Sequence, residues 1–156
     1  MTFNNGFYQV VSAMVDLEAF SYALTRALAH ISAIQEIQTK DTLEAWGDLP
    51  DAHEYCYGRH LYYEHAKHGI IPFWIGLDIT KNATHVVITF EQKLMDSLEL
   101  KQHIAGLKTV REDIQSSRDK ANYIEVRLAS QDYTSFCSSE DPQFLIDFIN
   151  EVLSVL

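Results

Sequence analysis

The clearest pattern of apolar and polar positions lies between residues 70 and 93, IIPFWIGLDITKNATHVVITFEQK. Two runs, 72–79 and 85–90, are rich in aromatic and β-branched residues and flank the polar link Thr80-Lys81-Asn82-Ala83-Thr84. That combination predicts a β-hairpin at the middle of the chain. Within the first run Phe73, Ile75, Leu77 and Ile79 share one face and Trp74 takes the other, as the two-residue repeat of a strand requires. Residues 122–130 alternate in the same way. Ile124, Val126 and Leu128 face one side, and Tyr123, Glu125 and Arg127 face the other.

Helical periodicity dominates residues 7–38. Met14, Leu17, Phe20, Leu24, Leu28, Ile31 and Ile34 recur at spacings of three and four, and no Pro or Gly follows Gly6. The pattern predicts one long helix or two consecutive ones, laid over a sheet by the apolar stripe. Residues 39–51 read as a connection. Residues 52–68 carry mixed signals: Pro50 and Gly69 frame a helix, whereas Tyr55, Tyr57, Tyr62 and Tyr63 favour a strand over 57–66. After the hairpin, Asp96 or Ser97 is placed to cap a helix through Leu100, Ile104, Leu107 and Ile114. Asp141-Pro142 opens a last helix carrying Phe144, Leu145, Phe148, Val152 and Val155. The order is helix, three strands, helix, strand, helix. It predicts a single two-layer α+β domain over 1–156 with a mainly antiparallel sheet.

At 156 residues, a chain with 47% hydrophobic and 22% charged residues is an ordinary globular length and composition. No run reaches the length of a membrane span. Asp16 and Glu18 interrupt the apolar N-terminal segment and no basic residue precedes them, which is not the pattern of a secretory signal. Cys56 and Cys137 stand alone, without metal-ligand spacing, and read as reduced thiols of a cytoplasmic protein. The net charge of −10 is uneven. Residues 1–78 carry 4 basic and 10 acidic side chains, 79–127 carry 8 and 7, and 128–156 carry none and 5. Such a surface repels nucleic acid at long range and favours basic partners.

Three constellations carry potential chemistry. The stretch holding His53, His60, Glu64, His65 and His68 gives a metal face only if helical, and otherwise a polar, titratable surface. Tyr62, Tyr63 and Trp74, with Tyr57 and Phe73, form an aromatic set suited to anchoring a partner or to packing under helices. Asp78 closes the first run of the hairpin, and Glu91-Gln92-Lys93 closes the second. Two carboxylates and a lysine converging on one hairpin edge hold a hard cation and orient water.

The third set, with the element order over about residues 10–130, resembles the PD-(D/E)XK nuclease-like superfamily. The resemblance implies catalytic roles for Asp78, Glu91 and Lys93, with Glu36 or Glu44 as an acid from the first helix. It also implies Mg²⁺ or Mn²⁺ at Asp78 and Glu91, and nucleic acid as substrate. No phosphate-binding glycine loop and no nucleophile elbow occurs in the sequence. The first expectation is therefore a small acidic, non-enzymatic interaction module without a cofactor. It would bind a protein partner through Tyr62, Tyr63 and Trp74, or associate with itself, for which the apolar tail Val155-Leu156 offers a surface. The metal-dependent or degenerate nuclease is the alternative.

Overall fold

The computed structural model describes residues 5–36, 41–46, 54–80, 83–107, 109–115, 120–128 and 142–156. The elements are α1 (Asn5–Leu28), β1 (Ile34–Glu36), β2 (Thr42–Trp46), β3 (Glu54–His65), β4 (Gly69–Thr80) and β5 (Thr84–Glu91). They continue with α2 (Gln92–Ser97), α3 (Lys101–Ala105), β6 (Val110–Gln115), β7 (Asn122–Arg127) and α4 (Gln143–Ser154). The fold is α+β, with an antiparallel sheet in the order β1-β3-β4-β5-β7-β6 and β2 also paired to β3.

The described part of residues 52–68 is a strand over Glu54–His65 followed by a turn. β3 and β4 pair along their whole length, from Glu54 opposite Thr80 to His65 opposite Gly69. Gly69 turns the corner at φ +72°, a conformation in which glycine has no Cβ to clash. β4 then pairs with β5 in the predicted hairpin, with Trp74 opposite Thr89 and Asp78 opposite His85.

One apolar core lies between the sheet and the helices. β4 contributes Ile71, Phe73, Ile75 and Leu77, β5 contributes Val86, Ile88 and Phe90, and β7 contributes Ile124 and Val126. Against them pack Phe20, Leu24 and Leu28 of α1, Met95 of α2, Ile104 of α3 and Leu145, Ile149 and Val152 of α4. The alternate residues of the same strands form a second face, which carries none of this core.

Three boundaries depart from the sequence expectation. The first helix stops at Leu28, and Ile34 enters β1 opposite Tyr63. Ile31 is buried and Ile34 half-buried, and a spacing of three suits a helix as well as a strand entry, so the apolar spacing did not separate the two. The connection over 39–51 contains β2. The helix expected through Ile114 is two short helices, broken at Glu99 with φ +58°, followed by β6, in which Ile114 pairs with Tyr123.

β1 and β2 share one edge of β3, with Glu36 opposite Leu61 and Thr42 opposite Gly58. Arg59 and His60 fall between the two pairings. Arg59 is 1% exposed on the helix side and donates from Nε to Asp41 Oδ1 at 2.6 Å and from Nη2 to Asp41 Oδ2 at 3.1 Å. Nη2 also reaches Thr25 Oγ1 at 3.0 Å and the Ser21 carbonyl at 3.3 Å. One guanidinium thereby ties α1, β3 and the entry to β2 together, and its fork geometry suits this bidentate contact. Among the described residues its Nη1 has no hydrogen-bond partner, and the Glu36 carboxylate stands 4.0 Å away.

Candidate functional site

The second sheet face carries the densest cluster of ionisable side chains among the described residues. Asp78 on β4, His85 on β5, Glu125 and Arg127 on β7 and Arg111 on β6 meet there because of strand register. Asp78 is opposite His85, Arg127 opposite Val87, and Glu125 lies between Thr89 and Arg111. Asp78 and Glu125 are buried. Arg127 donates from Nη2 to Asp78 Oδ2 at 2.5 Å and from Nε to Glu125 Oε1, and its Nη1 lies 3.5 Å from His85 Nδ1. Every nitrogen of that guanidinium has a neighbour able to accept. Arg111, 41% exposed, sets Nη1 at 3.5 Å from Glu125 Oε1 and 3.8 Å from Asp78 Oδ2. Two carboxylates and two guanidiniums thus balance within one cluster, the arrangement that makes buried charge tolerable.

Beside the cluster the face becomes aromatic. Trp74 precedes Asp78 by two strand repeats on β4 and lies across a cross-strand glycine pair, Gly58 opposite Gly76. A Cβ on Gly76 would stand 2.5 Å from the Trp74 ring and 2.3 Å from the Tyr57 carbonyl oxygen, and one on Gly58 would stand 2.7 Å from the ring. Both positions need glycine so that the indole can lie flat on the sheet. Tyr62 is half-buried on this face beside exposed Pro72, and Ile70 is 53% exposed one repeat further along.

The residues expected to act together are divided. Glu91 lies six residues beyond His85 on β5, so it stands about 20 Å from Asp78 along the hairpin at the rise of a strand. Oxygen–metal bonds of about 2.0–2.6 Å do not bridge that separation. Glu91 and Lys93 do share a cleft of about 340 Å³ with Gln92, Asp96, Lys120, Ala121 and Asn122, all at the far end of β5 from Asp78. Of the acids expected on the first helix, Glu36 lies in β1 and Glu44 in β2. No group of three or more His, Cys, Asp and Glu among the described residues is placed to hold a metal ion.

The aromatic set is divided as well. Tyr62 and Trp74 lie on the second face, whereas Tyr63 packs against the core on the helix side. The histidines do not form one face either. His60 and Glu64 project from the second face, and His65 lies with Tyr63, their rings edge-on at 5.9 Å. His65 Nδ1 accepts the backbone N–H groups of Lys67 at 3.1 Å and His68 at 3.0 Å, and its Nε2 is 2.8 Å from the Leu156 carbonyl oxygen. An imidazole accepting at Nδ1 carries its proton on Nε2, so His65 donates to Leu156 and anchors the end of α4. Val155 and Leu156 are half-buried, with Leu156 against the core; the tail is packed on its own domain. His68, beside the His65 ring at 4.8 Å, has its pKa lowered by desolvation first and by the nearby His65 and Lys67 second. His53 and Cys137 lie outside the described residues; Cys56 is buried on the second sheet face.

Sequence reasoning singled out Asp78 but not its partners. Glu125 and Arg127 alternate with Ile124 and Val126 and read as the polar side of a half-buried strand. The available signal was the pair of opposite charges two apart on one strand face.

No family model, no curated protein and no solved structure gives a significant match to the chain. The geometry alone therefore carries the functional reading.

Proposed function

We propose that the chain is a non-enzymatic protein-binding module and that the second sheet face is its docking surface. One observation carries this reading. Asp78, Glu125, Arg127 and Arg111 on that face are paired with one another, while aromatic and apolar side chains (Tyr62, Trp74, Pro72 and Ile70) lie beside them at the surface. Aromatic anchors next to a rigid, charge-balanced platform suit a protein interface better than proton transfer, which needs an acid or base free to change its charge. Arg111 extends the platform: its guanidinium is half in solvent and offers further donors to a partner's carboxylate or backbone carbonyl. The net charge of −10 favours a partner with a basic surface and makes association faster at low salt.

The test is capture of a partner from the native extract on immobilised protein, with the Tyr62→Ala/Ile70→Lys double variant beside the natural chain. The reading expects a saturable partner that the double variant loses and that salt weakens. Equal capture by the double variant, or no saturable partner with either, would overturn it.

A further inference from the structure

α1 has two apolar stripes, and the fold uses one. Leu17, Phe20, Leu24, Ala27 and Leu28 face the sheet, whereas Val11, Met14, Val15, Ala19 and Tyr22 are exposed on the opposite side. At about 100° per residue these exposed positions fall within one sector of the helix, together with Glu18. Met14 is 63% exposed and Tyr22 67%, although Met14 continues the spacing of the core stripe. Residues 11–16 are all exposed, more than a full turn, so this length of α1 has no side against the domain. Residues 1–15 contain no charged side chain. A helix whose first turns carry Gly6, Val10, Val11 and Val15 and no charge before Asp16 has poor intrinsic stability there in water. It is the kind of helix that forms when its apolar face is covered.

We infer that the outer face of α1 is covered by the same face of a second copy, in an antiparallel two-fold pair. The stripe is self-complementary. A two-fold axis between residues 16 and 17 overlays all of Asn5–Leu28 on its reversed copy. It sets Val11 opposite the partner's Tyr22, Met14 opposite the partner's Ala19 and Val15 opposite the partner's Glu18. Large side chains meet small ones, and an isologous contact of this kind closes at two copies. The contact is long enough to be specific. A helix of 24 residues is about 36 Å long and about 10–12 Å across, so the pair covers roughly 900 Å² over both copies. That lies close to the roughly 1,000 Å² at which specific interfaces begin, which points to a dimer of moderate affinity. A lipid surface is the poorer occupant. Binding in a headgroup layer needs basic residues on the polar flanks, and Arg26, stacked over Tyr22 at 5.7 Å, is the basic residue of α1. Glu18 is the exception within the stripe. In this register the two Glu18 carboxylates flank the axis and repel, so the contact is weaker than its apolar area implies.

Sedimentation equilibrium on the full chain tests this, with Met14→Lys and Glu18→Leu beside it. Both positions are exposed and away from the core, so near-UV circular dichroism should show the same packed core in all three proteins, whatever the helix content of residues 5–15. The mass should rise with concentration from 17.9 kDa towards twice that value. Met14→Lys should weaken the dimer at least about tenfold, and Glu18→Leu should tighten it at least about tenfold. A wild type that stays monomeric at about 200 µM would overturn the inference, as would a dimer indifferent to both substitutions. Vesicles of phosphatidylcholine and phosphatidylserine provide the other arm: a monomer that binds them through Met14 identifies the cover as lipid and also overturns it. Neither result bears on the sheet face, which these substitutions do not touch.

Discussion

Removing the Arg59 side chain should be among the most damaging single changes in this protein. Arg59 and Asp41 are 1% and 0% exposed at their side chains, and the guanidinium also satisfies Thr25 Oγ1 and the Ser21 carbonyl. Arg59→Met keeps most of the apolar volume but leaves the Asp41 carboxylate buried and uncompensated. Breaking one side of a buried pair costs about 3–5 kcal/mol, a large part of the roughly 5–15 kcal/mol by which domains are stable. With a urea slope of about 2 kcal/mol per M for a domain of this size, the midpoint should fall by about 1.5–2.5 M. Asp41→Leu should be similarly harmful, because Arg59 then becomes the unpaired charge. The double variant should recover much of the loss, since each single change is costly mainly through the charge it strands. Urea unfolding of the three variants, followed by circular dichroism, makes the comparison. A loss below about 1 kcal/mol for Arg59→Met, or additive losses in the double variant, would refute the clamp.

Four further outcomes follow from other parts of the molecule. Gly76→Ala should destabilise by at least about 2 kcal/mol in thermal melts, because its Cβ meets the Tyr57 carbonyl oxygen at 2.3 Å and the Trp74 ring at 2.5 Å. His65→Ala should cost about 1–2 kcal/mol through its lost hydrogen bonds, and hydrogen exchange should show faster opening at 153–156. Burial raises the Tyr57 pKa above its ordinary value of 10.0, against a smaller opposing effect of its hydrogen bond with Ser21. The unfolded chain therefore loses that proton first, stability is full below pH 10 and falls as pH rises above it, and Tyr57→Phe should flatten the fall. In an NMR titration His68 should change charge below its ordinary 6.5.

The sheet was largely legible because its central strands alternate over long runs, as in Phe73, Ile75 and Leu77 or Ile124 and Val126. The short strands were not. Ile34 satisfies a helical stripe as well as a strand, and only the free edge of β3, which lies in the tertiary structure, selects between them. Exposure of Met14 was equally hidden, because spacing reports which residues share a helix face and not whether anything covers it. At the candidate site, Asp78 stood out as a carboxylate at a strand end. Its partner Arg127 lies 49 residues away, and register alone brings the two together. The same register sends Glu91 to the other end of the hairpin. Arg59 gave no sign at all, since a charge on the core side of a strand breaks the alternation that reveals cores.

The central claim is that the charges of the second sheet face serve one another and leave that face for binding. Calorimetric titration of Mn²⁺ and of Mg²⁺ into the protein, repeated on Asp78→Asn, tests it most directly. The account predicts no saturable heat that depends on Asp78. Stoichiometric metal binding that disappears with Asp78→Asn, in a variant still folded by circular dichroism, would contradict it and restore the metal-dependent alternative.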